Sequence, residues 1–279
     1  MTSVPHEKVV IEDCSSGSPV SLSLHHQEQS DNYCLFQHGL GADHRQCLEV
    51  FPHSSQYGFA CVDCRAHGTS DYADPARMNL AVFANDLIQV IEQQLKPPVV
   101  IGGISMGAAL SLRIAATRPD LVRALILARP AWAFDSAPDN MQPNLLVGEL
   151  LSRYPPEQAR QVFSATQTCK ELERNAPDNL ASLLSFFDRP DARDFAQVLC
   201  AVSNDGPGIT REATENWQIP TLVLATPDDH VHPIALAEQL AERLNAGAIV
   251  TLPAKHNNKT RYVQAFRQHL TDFLDTVSS

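Results

Sequence analysis

Short β-branched runs alternate with segments of helical periodicity along most of this chain. The runs are rich in Val, Ile, Leu and Phe, and the helical segments repeat apolar residues every three or four positions. Eight strands are predicted, near Lys8–Ile11, Val20–Leu24, Tyr33–Gln37, Gly58–Asp63, Val99–Gly102, Ala124–Ala128, Thr221–Ala225 and Ala248–Leu252. The clearest helices are predicted at Leu80–Leu95, Met106–Thr117, Pro233–Leu244 and Thr260–Thr276. This alternation is typical of an α/β protein with a mostly parallel sheet.

The alternation stops between Pro130 and about Trp217, where helical pieces are broken by proline. At roughly eighty-five residues, this stretch is too long for a simple connection. We therefore expect one core from residues 1–130 and 217–279, with residues 131–216 inserted as a helical cap. The cap would cover the carboxyl edge of the sheet, where open α/β sheets bind ligands.

Composition and charge narrow the class of partner. The 279 residues are 44% hydrophobic and 19% charged, as in globular proteins, and the net charge of −11 disfavours nucleic acid and anionic membranes. The N-terminus lacks a signal-peptide pattern, and no run reaches the ~18 apolar residues of a membrane span. We expect a cytoplasmic protein with a small-molecule substrate and neither nucleic acid nor membrane as partner. A homodimer is left open.

The cysteines give little sign of special chemistry. Seven are scattered along the chain, an odd number that disfavours a disulfide framework and fits a reducing compartment. Cys61 and Cys64 form a C-x-x-C pair at the end of a predicted strand, without a second pair to complete a zinc site. We expect buried thiols, and neither a metal nor a cofactor.

The segment "VVIGGISMGAAL" contains a G-x-S-x-G pattern centred on Ser105. It lies between a predicted strand and a predicted helix, the context in which a nucleophilic serine is held on a sharp turn. Glycines two residues to either side, Gly103 and Gly107, relieve Cβ clashes in such a turn. The structural alternative is an ordinary serine N-cap on a glycine-rich turn.

A second glycine-rich loop, His38-Gly39-Leu40-Gly41, follows the third predicted strand. Such a loop can turn a backbone N–H toward the same edge of the sheet. The N–H groups of Leu40 and Met106 would then form an oxyanion hole. For His38 we favour a structural role in the loop.

Two later loops supply an acid and a histidine. Asp228 and Asp229 follow the seventh predicted strand, and His256 lies between the last strand and the last helix. The alternatives are a solvated loop carboxylate and a surface histidine. The order Ser105, Asp228 or Asp229, then His256 matches the Ser, Asp, His order of the α/β-hydrolase arrangement.

With these residues in place, the chain resembles the α/β-hydrolase superfamily, in its cap-containing branch of small esterases, lactonases and carbon-carbon hydrolases. The segment "DCRAHGTS" resembles the D-x-R-G-x-G-x-S turn of that superfamily, with Ala66 where glycine is usual. The superfamily's acid usually stands four residues before a proline, which selects Asp229, four before Pro233. His256 follows a lysine instead of the more familiar glycine.

The resemblance implies a serine hydrolase acting on an ester, lactone or related acyl bond. Ser105 would attack the acyl carbon, His256 would take its proton, and Asp229 would hold the imidazole. Carbon-carbon hydrolysis, acyl transfer and a lyase reaction remain alternatives, because fold does not settle chemistry. A ligand receptor with residual hydrolase activity is an alternative of another class. Dehalogenases and epoxide hydrolases of this fold use an aspartate nucleophile, so they are disfavoured.

Arg129 and Trp132 follow the sixth predicted strand, close to the start of the cap. Arg129 could bind a carboxylate or phosphate on the substrate, and Trp132 could form a wall of the pocket. The alternatives are an arginine paired with an acidic side chain and a tryptophan in the cap hinge. The predicted cap mixes basic and acidic residues, which favours a soluble substrate of modest size over a lipid interface.

Overall fold

The computed structural model describes residues 4–14, 16–27, 31–52, 56–74 and 77–277. Its centre is one eight-stranded sheet in the order β1-β2-β4-β3-β5-β6-β7-β8. The strands are β1 (His6–Glu12), β2 (Pro19–His26), β3 (Tyr33–Gln37), β4 (Gly58–Asp63), β5 (Val99–Ile104), β6 (Val122–Ala128), β7 (Thr221–Ala225) and β8 (Val250–Thr251). All eight predicted strands are present, with small differences at their ends.

The sheet is parallel from β4 to β8 in its spatial order, and β1 and β2 are antiparallel to their neighbours. Parallel strands β3, β5, β6 and β7 therefore end at the same edge. Strand β5 pairs with β3 through Gly103 and Gln37, at its carboxyl end. Adjacent loops that follow these strands are thereby brought together, as the predicted α/β architecture requires.

Ten α-helices complete the described part of the chain. The helices of the core are α1 (His44–Val50), α2 (Leu80–Gln94), α3 (Met106–Thr117), α9 (Ile234–Arg243) and α10 (Lys259–Val277). Neighbouring strand residues face opposite sides of the sheet, and the buried side chains accordingly form two clusters. One cluster contains side chains of α2, α3 and α9, and the other contains side chains of α1 and α10. Helix α1 was not among the predicted elements.

The stretch between β6 and β7 is helical, as predicted. We call residues 131–216 the helical insertion. Its helices are α4 (Gln142–Arg153), α5 (Pro156–Ala165), α6 (Gln167–Asn175), α7 (Pro177–Ser185) and α8 (Ala192–Ser203). Proline begins α5 and α7, where its missing N–H costs no hydrogen bond.

Asp205, just after α8, joins the insertion to the core. Its carboxylate accepts a hydrogen bond from Leu80 N, at the start of α2, at 2.7 Å. Its carbonyl accepts one from the indole N–H of Trp132 at 2.9 Å. Asp205 therefore joins the end of α8 both to the start of the insertion, at Trp132, and to the core, at α2.

Two sequence expectations concern the chain as a whole. All seven cysteines are free, and Cys61 and Cys64 are buried, as expected for thiols that serve as small hydrophobic side chains. In the part of the chain that the structure describes, no helix is both long and apolar enough to cross a membrane.

Candidate active site

Ser105 lies in the turn between β5 and α3 with strained backbone angles, φ +56° and ψ −109°. A Cβ on Gly103 would stand 2.5 Å from the carbonyl oxygen of Gln37, and one on Gly107 would stand 2.4 Å from the same atom. Real Cβ atoms do not approach backbone oxygens so closely, so both positions require glycine. The G-x-S-x-G pattern is thus explained by the close approach of the end of β3.

The serine occupies the N-cap position of α3, but its side chain makes no capping hydrogen bond. The hydroxyl of Ser105 therefore does not cap α3. The N–H of Met106, in the first turn, donates to no protein acceptor in the described residues. Ser105 is 9% exposed, which leaves its hydroxyl in a sheltered but accessible place.

The loop after β3 is held by side chains on either side of Leu40. Gly39 N–H donates to Gln46 Oε1 at 2.7 Å, and Gly41 N–H donates to His67 Nε2 at 2.9 Å. Leu40 N–H lies between these two anchored groups and has no protein acceptor across the described ranges. The loop therefore leaves the Leu40 N–H unused by the protein, and an oxyanion hole formed with Met106 stays a prediction.

His38 has the structural role that we favoured. Its Nδ1 lies 2.9 Å from Gly39 O and its Nε2 accepts from Cys64 N–H at 3.0 Å, so both ring nitrogens are used by the backbone. Burial is the largest influence on its pKa and lowers it, which keeps the ring neutral.

The side chain of Asp229, after β7, is only 3% exposed, whereas Asp228 is exposed. Five donors converge on the carboxylate of Asp229. Oδ1 accepts from the ring Nδ1 and backbone N–H of His232 at 2.7 and 3.1 Å and from Asn179 Nδ2 at 2.8 Å. Oδ2 accepts from Arg129 Nε at 2.8 Å and Thr226 Oγ1 at 2.9 Å.

These contacts decide the charge of the pair. Burial by itself would raise the pKa of Asp229, but His232, Arg129 and the hydrogen bonds outweigh it and hold that pKa well below its usual range. Burial lowers the pKa of His232 below its usual value, and the attraction of Asp229 offsets only part of that effect. At neutral pH the carboxylate is therefore ionised and the imidazole neutral.

The structure does not bring His256 to Asp229. His256 Nδ1 lies 3.2 Å from Asp178 Oδ2, and its backbone N–H donates to the same oxygen at 2.8 Å. Asp178 belongs to α7 of the insertion. In the described conformation, two of the three residues predicted as a triad are thus held by different partners.

Arg129 and Trp132 match the structural alternatives considered for them. Arg129 is paired with Asp229, although it also lines the cavity at Ser105. Trp132 is 1% exposed, donates to Asp205 O and does not line that cavity. A substrate contact stays a prediction for both residues.

A cavity of about 80 Å³ lies over Ser105. From the core it is lined by Leu40, Gln46, Arg129 and His232, among others. The helical insertion supplies Met141, Asn144, Asn179, Ser182, Leu183 and Phe186. The amide oxygen of Asn144 is buried and has no hydrogen-bond partner among the residues that the structure describes. Because buried polar atoms are nearly always paired, a bound molecule or water is expected at this oxygen.

Sequence reasoning missed His232, Asn179 and Asn144. His232 stands three residues after Asp229, and the spacing D-H-V-H-P could have marked it as a second candidate histidine. Asn179 also accepts from the N–H groups of His230 and Val231, at 2.7 and 3.1 Å. No local signal marks Asn179, because its partners lie far away in the sequence, and none marks Asn144, whose place in the cavity is set by the packing of α4.

One group of side chains has the composition of a metal site. Ligand atoms of His25, His44 and Asp63 all lie within 4.8 Å of one another. The two rings, however, stack at 3.4 Å with an interplanar angle of 13°, so their in-plane lone pairs lie in separate, nearly parallel planes and are poorly placed to meet at one ion. Each ring instead contacts Asp63 at 3.1 Å, and this carboxylate also accepts from Thr69 N–H. The cluster thus stabilises the turn after β4.

Comparison with known proteins agrees with this architecture. A family model described as the alpha/beta hydrolase fold matches residues 35–205. Lipase LipV of Mycobacterium tuberculosis is 35% identical over 100 residues, which are 36% of this chain and 38% of that lipase. The match thus spans well under half of LipV.

Two further matches extend over nearly the whole chain. The 3-oxoadipate enol-lactonase 1 of Acinetobacter baylyi is 23% identical over 270 residues, 94% of this chain and 95% of that protein. A solved thermophilic esterase from Thermogutta terrifontis has a TM-score of 0.71 at 19% identity, covering 96% of this chain and 99% of that one. At this identity the structural likeness shows a common fold.

Proposed function

The chain belongs to the alpha/beta hydrolase fold family, and we propose that it is a serine hydrolase that cleaves esters of small acyl groups through an acyl-enzyme on Ser105. The observation that carries this proposal is the position of Ser105. Its backbone is strained at φ +56°, its hydroxyl makes no capping bond, and it faces a cavity beside free N–H donors. Strain of this kind persists where the surrounding structure imposes it, and it is concentrated at functional sites.

In the proposed reaction, the acyl carbon is attacked by Ser105, and the carbonyl oxygen becomes negative. The N–H groups of Leu40 and Met106 would stabilise that charge, a contribution of about 10²–10³ in rate for one such donor. Water then releases the acid and restores the serine. The orienting acid is Asp229. The sequence order assigns the base to His256, and the contacts of Asp229 give a second candidate, His232.

The cavity supports a short acyl group. A volume of 80 Å³ is room for a few groups of the size of a water molecule. Acetyl to butyryl esters fit this space. We propose that the helical insertion acts as the cap that limits it, through Leu183 and Phe186. The amide oxygen of Asn144, which has no partner among the described residues, would accept a hydrogen bond from water or from a donor group of the substrate.

A lactone is the second candidate substrate, because the enol-lactonase of A. baylyi aligns with 94% of this chain. The chemistry at Ser105 would be the same. A lactone differs in that the leaving alcohol stays attached to the acyl group, so the whole substrate must fit in or near the cavity.

The test combines covalent labelling with substrate turnover. A fluorophosphonate probe should label the wild-type protein and not Ser105→Ala, and p-nitrophenyl acetate should give a burst with the wild type only. Ser111→Ala is a matched control, because Ser111 lies on the same helix and donates to Gly107 O at 2.8 Å. Undiminished turnover in Ser105→Ala would refute the proposal.

Acyl-length dependence tests the size of the site separately. Values of kcat/KM should be highest for acetyl to butyryl esters and at least tenfold lower for octanoyl esters, since the longer chain exceeds the cavity. A panel of small lactones, assayed by acid release, compares the second substrate class. Equal rates for acetyl and octanoyl esters would contradict the proposed limit.

A further inference from the structure

We propose that Arg189, in the helical insertion, is a positioning residue that holds the Gly41 carbonyl and thereby keeps the Leu40 N–H in place as an oxyanion donor. This inference rests on the proposed acyl-enzyme function. Arg189 lies between α7 and α8, and its Nη1 donates to Gly41 O at 3.0 Å. Gly41 directly follows Leu40. The contact therefore joins the insertion to the loop that carries one of the two predicted oxyanion donors.

The four residues from Gly39 to Ala42 form a closed turn. Ala42 N–H donates to Gly39 O at 3.1 Å, and Gly41, the third residue of the turn, has a φ of +77°. A positive φ at the third position is typical of a type II turn and favours glycine there. Because a trans peptide unit is planar, Gly39 O and the Leu40 N–H point in opposite directions from one plane. Closure of the turn on Gly39 O therefore sets the direction of the Leu40 N–H.

Gly41 is held in this turn by three side chains. Its N–H donates to His67 Nε2 at 2.9 Å, and burial lowers the pKa of His67 to about 3, so the ring is neutral and can accept. A Cβ on Gly41 would stand 2.2 Å from Phe186 Cε1, so this ring packs directly against the glycine. Among the residues that the structure describes, Gly41 O accepts from Arg189 alone. Loss of Arg189 would therefore free the carbonyl and allow the turn to open.

The guanidinium of Arg189 is itself held in one orientation. Its Nε and Nη2 donate to the two carboxylate oxygens of Asp191, each at 2.9 Å, and Asp191 also accepts from Tyr72 Oη at 2.7 Å. The guanidinium carbon lies 3.8 Å from the ring centre of Phe195. A planar guanidinium paired in this bidentate way directs its remaining nitrogen, Nη1, at a fixed point. Gly41 O occupies that point.

The expected effect of Arg189 is on the rate of the chemical step. Arg189 does not line the cavity over Ser105, so we expect no contact with a small substrate. Losing one oxyanion donor typically costs about 10²–10³ in rate, and a donor that is displaced costs less than one that is lost. A residue that only joined the insertion to the core would change the fraction of folded protein and leave the rate at each folded site unchanged.

The experiment measures fluorophosphonate labelling of the full-length protein over a range of probe concentrations. In Arg189→Met the limiting rate at saturating probe should fall by about tenfold to a hundredfold. The probe concentration that gives half of this limiting rate should change by less than about threefold, because binding is not altered. The end point of labelling, which counts folded sites, should equal that of the wild type.

Arg160→Met is the matched control. Arg160 belongs to the same insertion and pairs with Asp188 while 42% exposed, away from the loop of Gly41. Its limiting rate should stay within about twofold of the wild type, as for an exposed ion pair of little weight. A wild-type limiting rate in Arg189→Met overturns the inference, and so does a loss confined to the end point or to the half-saturating concentration.

Arg189→Lys is a second variant, for the case that Arg189→Met does not fold. Lysine keeps the positive charge and one donating nitrogen, but it cannot pair with Asp191 through a fork and donate to Gly41 O as well. The limiting rate should therefore fall by about threefold to tenfold, between the wild type and Arg189→Met. A wild-type limiting rate in Arg189→Lys overturns the inference even when Arg189→Met cannot be assayed.

Failure of the underlying function gives a different result. If Ser105→Ala keeps its labelling and its turnover, the acyl-enzyme proposal is wrong, and Arg189 has no oxyanion donor to position. If Ser105→Ala is inactive and the Arg189 variants label at the wild-type limiting rate, the acyl-enzyme proposal stands and only the role of Arg189 is overturned.

Discussion

Replacing Arg129 with methionine tests whether the charge on Asp229 is stabilised as the structure indicates. The two side chains form an ion pair at 2.8 Å and are 14% and 3% exposed. Methionine keeps much of the alkyl stem of arginine and removes its guanidinium. The substitution therefore leaves a buried carboxylate without its cationic partner, while the packing changes little.

The size of the effect follows from distance and burial. Two unit charges about 4 Å apart attract by about 4 kcal/mol at an effective dielectric constant near 20. Breaking a buried pair by removing one member typically costs about 3–5 kcal/mol. His232, Asn179 and Thr226 still donate to Asp229. We therefore expect a loss of about 3 kcal/mol in the free energy of unfolding, and a decrease in Tm of about 6–12 °C.

The assay is urea and thermal unfolding at neutral pH, followed by circular dichroism. Arg160→Met is the matched control, because Arg160 pairs with Asp188 at 2.6 Å while the two side chains are 42% and 64% exposed. Exposed pairs contribute little, so the control should lose less than about 1 kcal/mol. If Arg129→Met loses no more than this control, the reasoning is refuted.

Two further measurements test the cause of the loss. Adding Asp229→Asn to Arg129→Met removes the uncompensated charge and should recover part of the stability. The pKa of Asp229 is depressed in the folded protein, so its contribution is present above the unfolded pKa, about 4, and is lost as the pH falls through the folded value. The difference between wild type and Arg129→Met should therefore narrow below about pH 4. A constant difference would contradict this account.

Three other substitutions test the turn at Ser105, the loop that carries Asp229, and the strained residue Ala66. Gly107→Ala would place a Cβ 2.4 Å from the carbonyl oxygen of Gln37, so fluorophosphonate labelling should fall at least tenfold; labelling at the wild-type rate would disprove the steric account. Asn179→Ala removes the side chain that contacts Asp229 and His230, so kcat/KM should fall by about 10²-fold in an ester assay. An unchanged kcat/KM would show that the loop of Asp229 keeps its conformation without Asn179. Ala66→Gly removes the strain of an alanine at φ +61° and should raise the free energy of unfolding by about 1 kcal/mol in urea, where a decrease would contradict it.

The sheet could be predicted well because its strands are short, apolar and bounded by turn residues. The predicted bounds of β3, β4 and β7 agree with the structure at both ends. Helix α1 was missed because seven residues give too little periodicity, although Asp43 caps it by accepting from Arg45 N–H at 2.9 Å. An aspartate at that position was the available signal.

The turn at Ser105, between β5 and α3, could be predicted from the sequence for a steric reason. Its glycines are required by the close approach of the Gln37 carbonyl oxygen at the end of β3, so the motif in the sequence marks a contact with the neighbouring strand. The same holds at the turn after β4, where a Cβ on Gly68 would stand 2.0 Å from Asp63 Oδ2. Ala66 keeps a left-handed conformation without glycine, which shows that this turn is imposed by its surroundings.

The partner of Asp229 could not be predicted, because it is chosen by tertiary contacts. Asn179 lies 50 residues before Asp229, and Asp178 lies 78 residues before His256. The order of residues along the chain predicts that Asp229 and His256 each follow a strand of the sheet. It does not predict which side chains donate hydrogen bonds to the carboxylate of Asp229. Both competing contacts come from the helical insertion, whose sequence resembled no specific pattern.

Asp178 and Asn179, at the start of α7, contact the loops that carry His256 and Asp229. Asp178 accepts from the backbone N–H of His256 and contacts its ring, and Asn179 accepts from the N–H of His230 in the loop that carries Asp229 and His232. Farther along, α7 places Leu183 in the wall of the cavity, so one helix contacts both the cavity and the loops of Asp229 and His256. A change in the position of α7 must then alter the shape of the cavity and the positions of these loops together. Substitutions that enlarge the cavity by shifting this helix should consequently reduce the rate even for short acyl groups, whereas truncation of Leu183 alone should not.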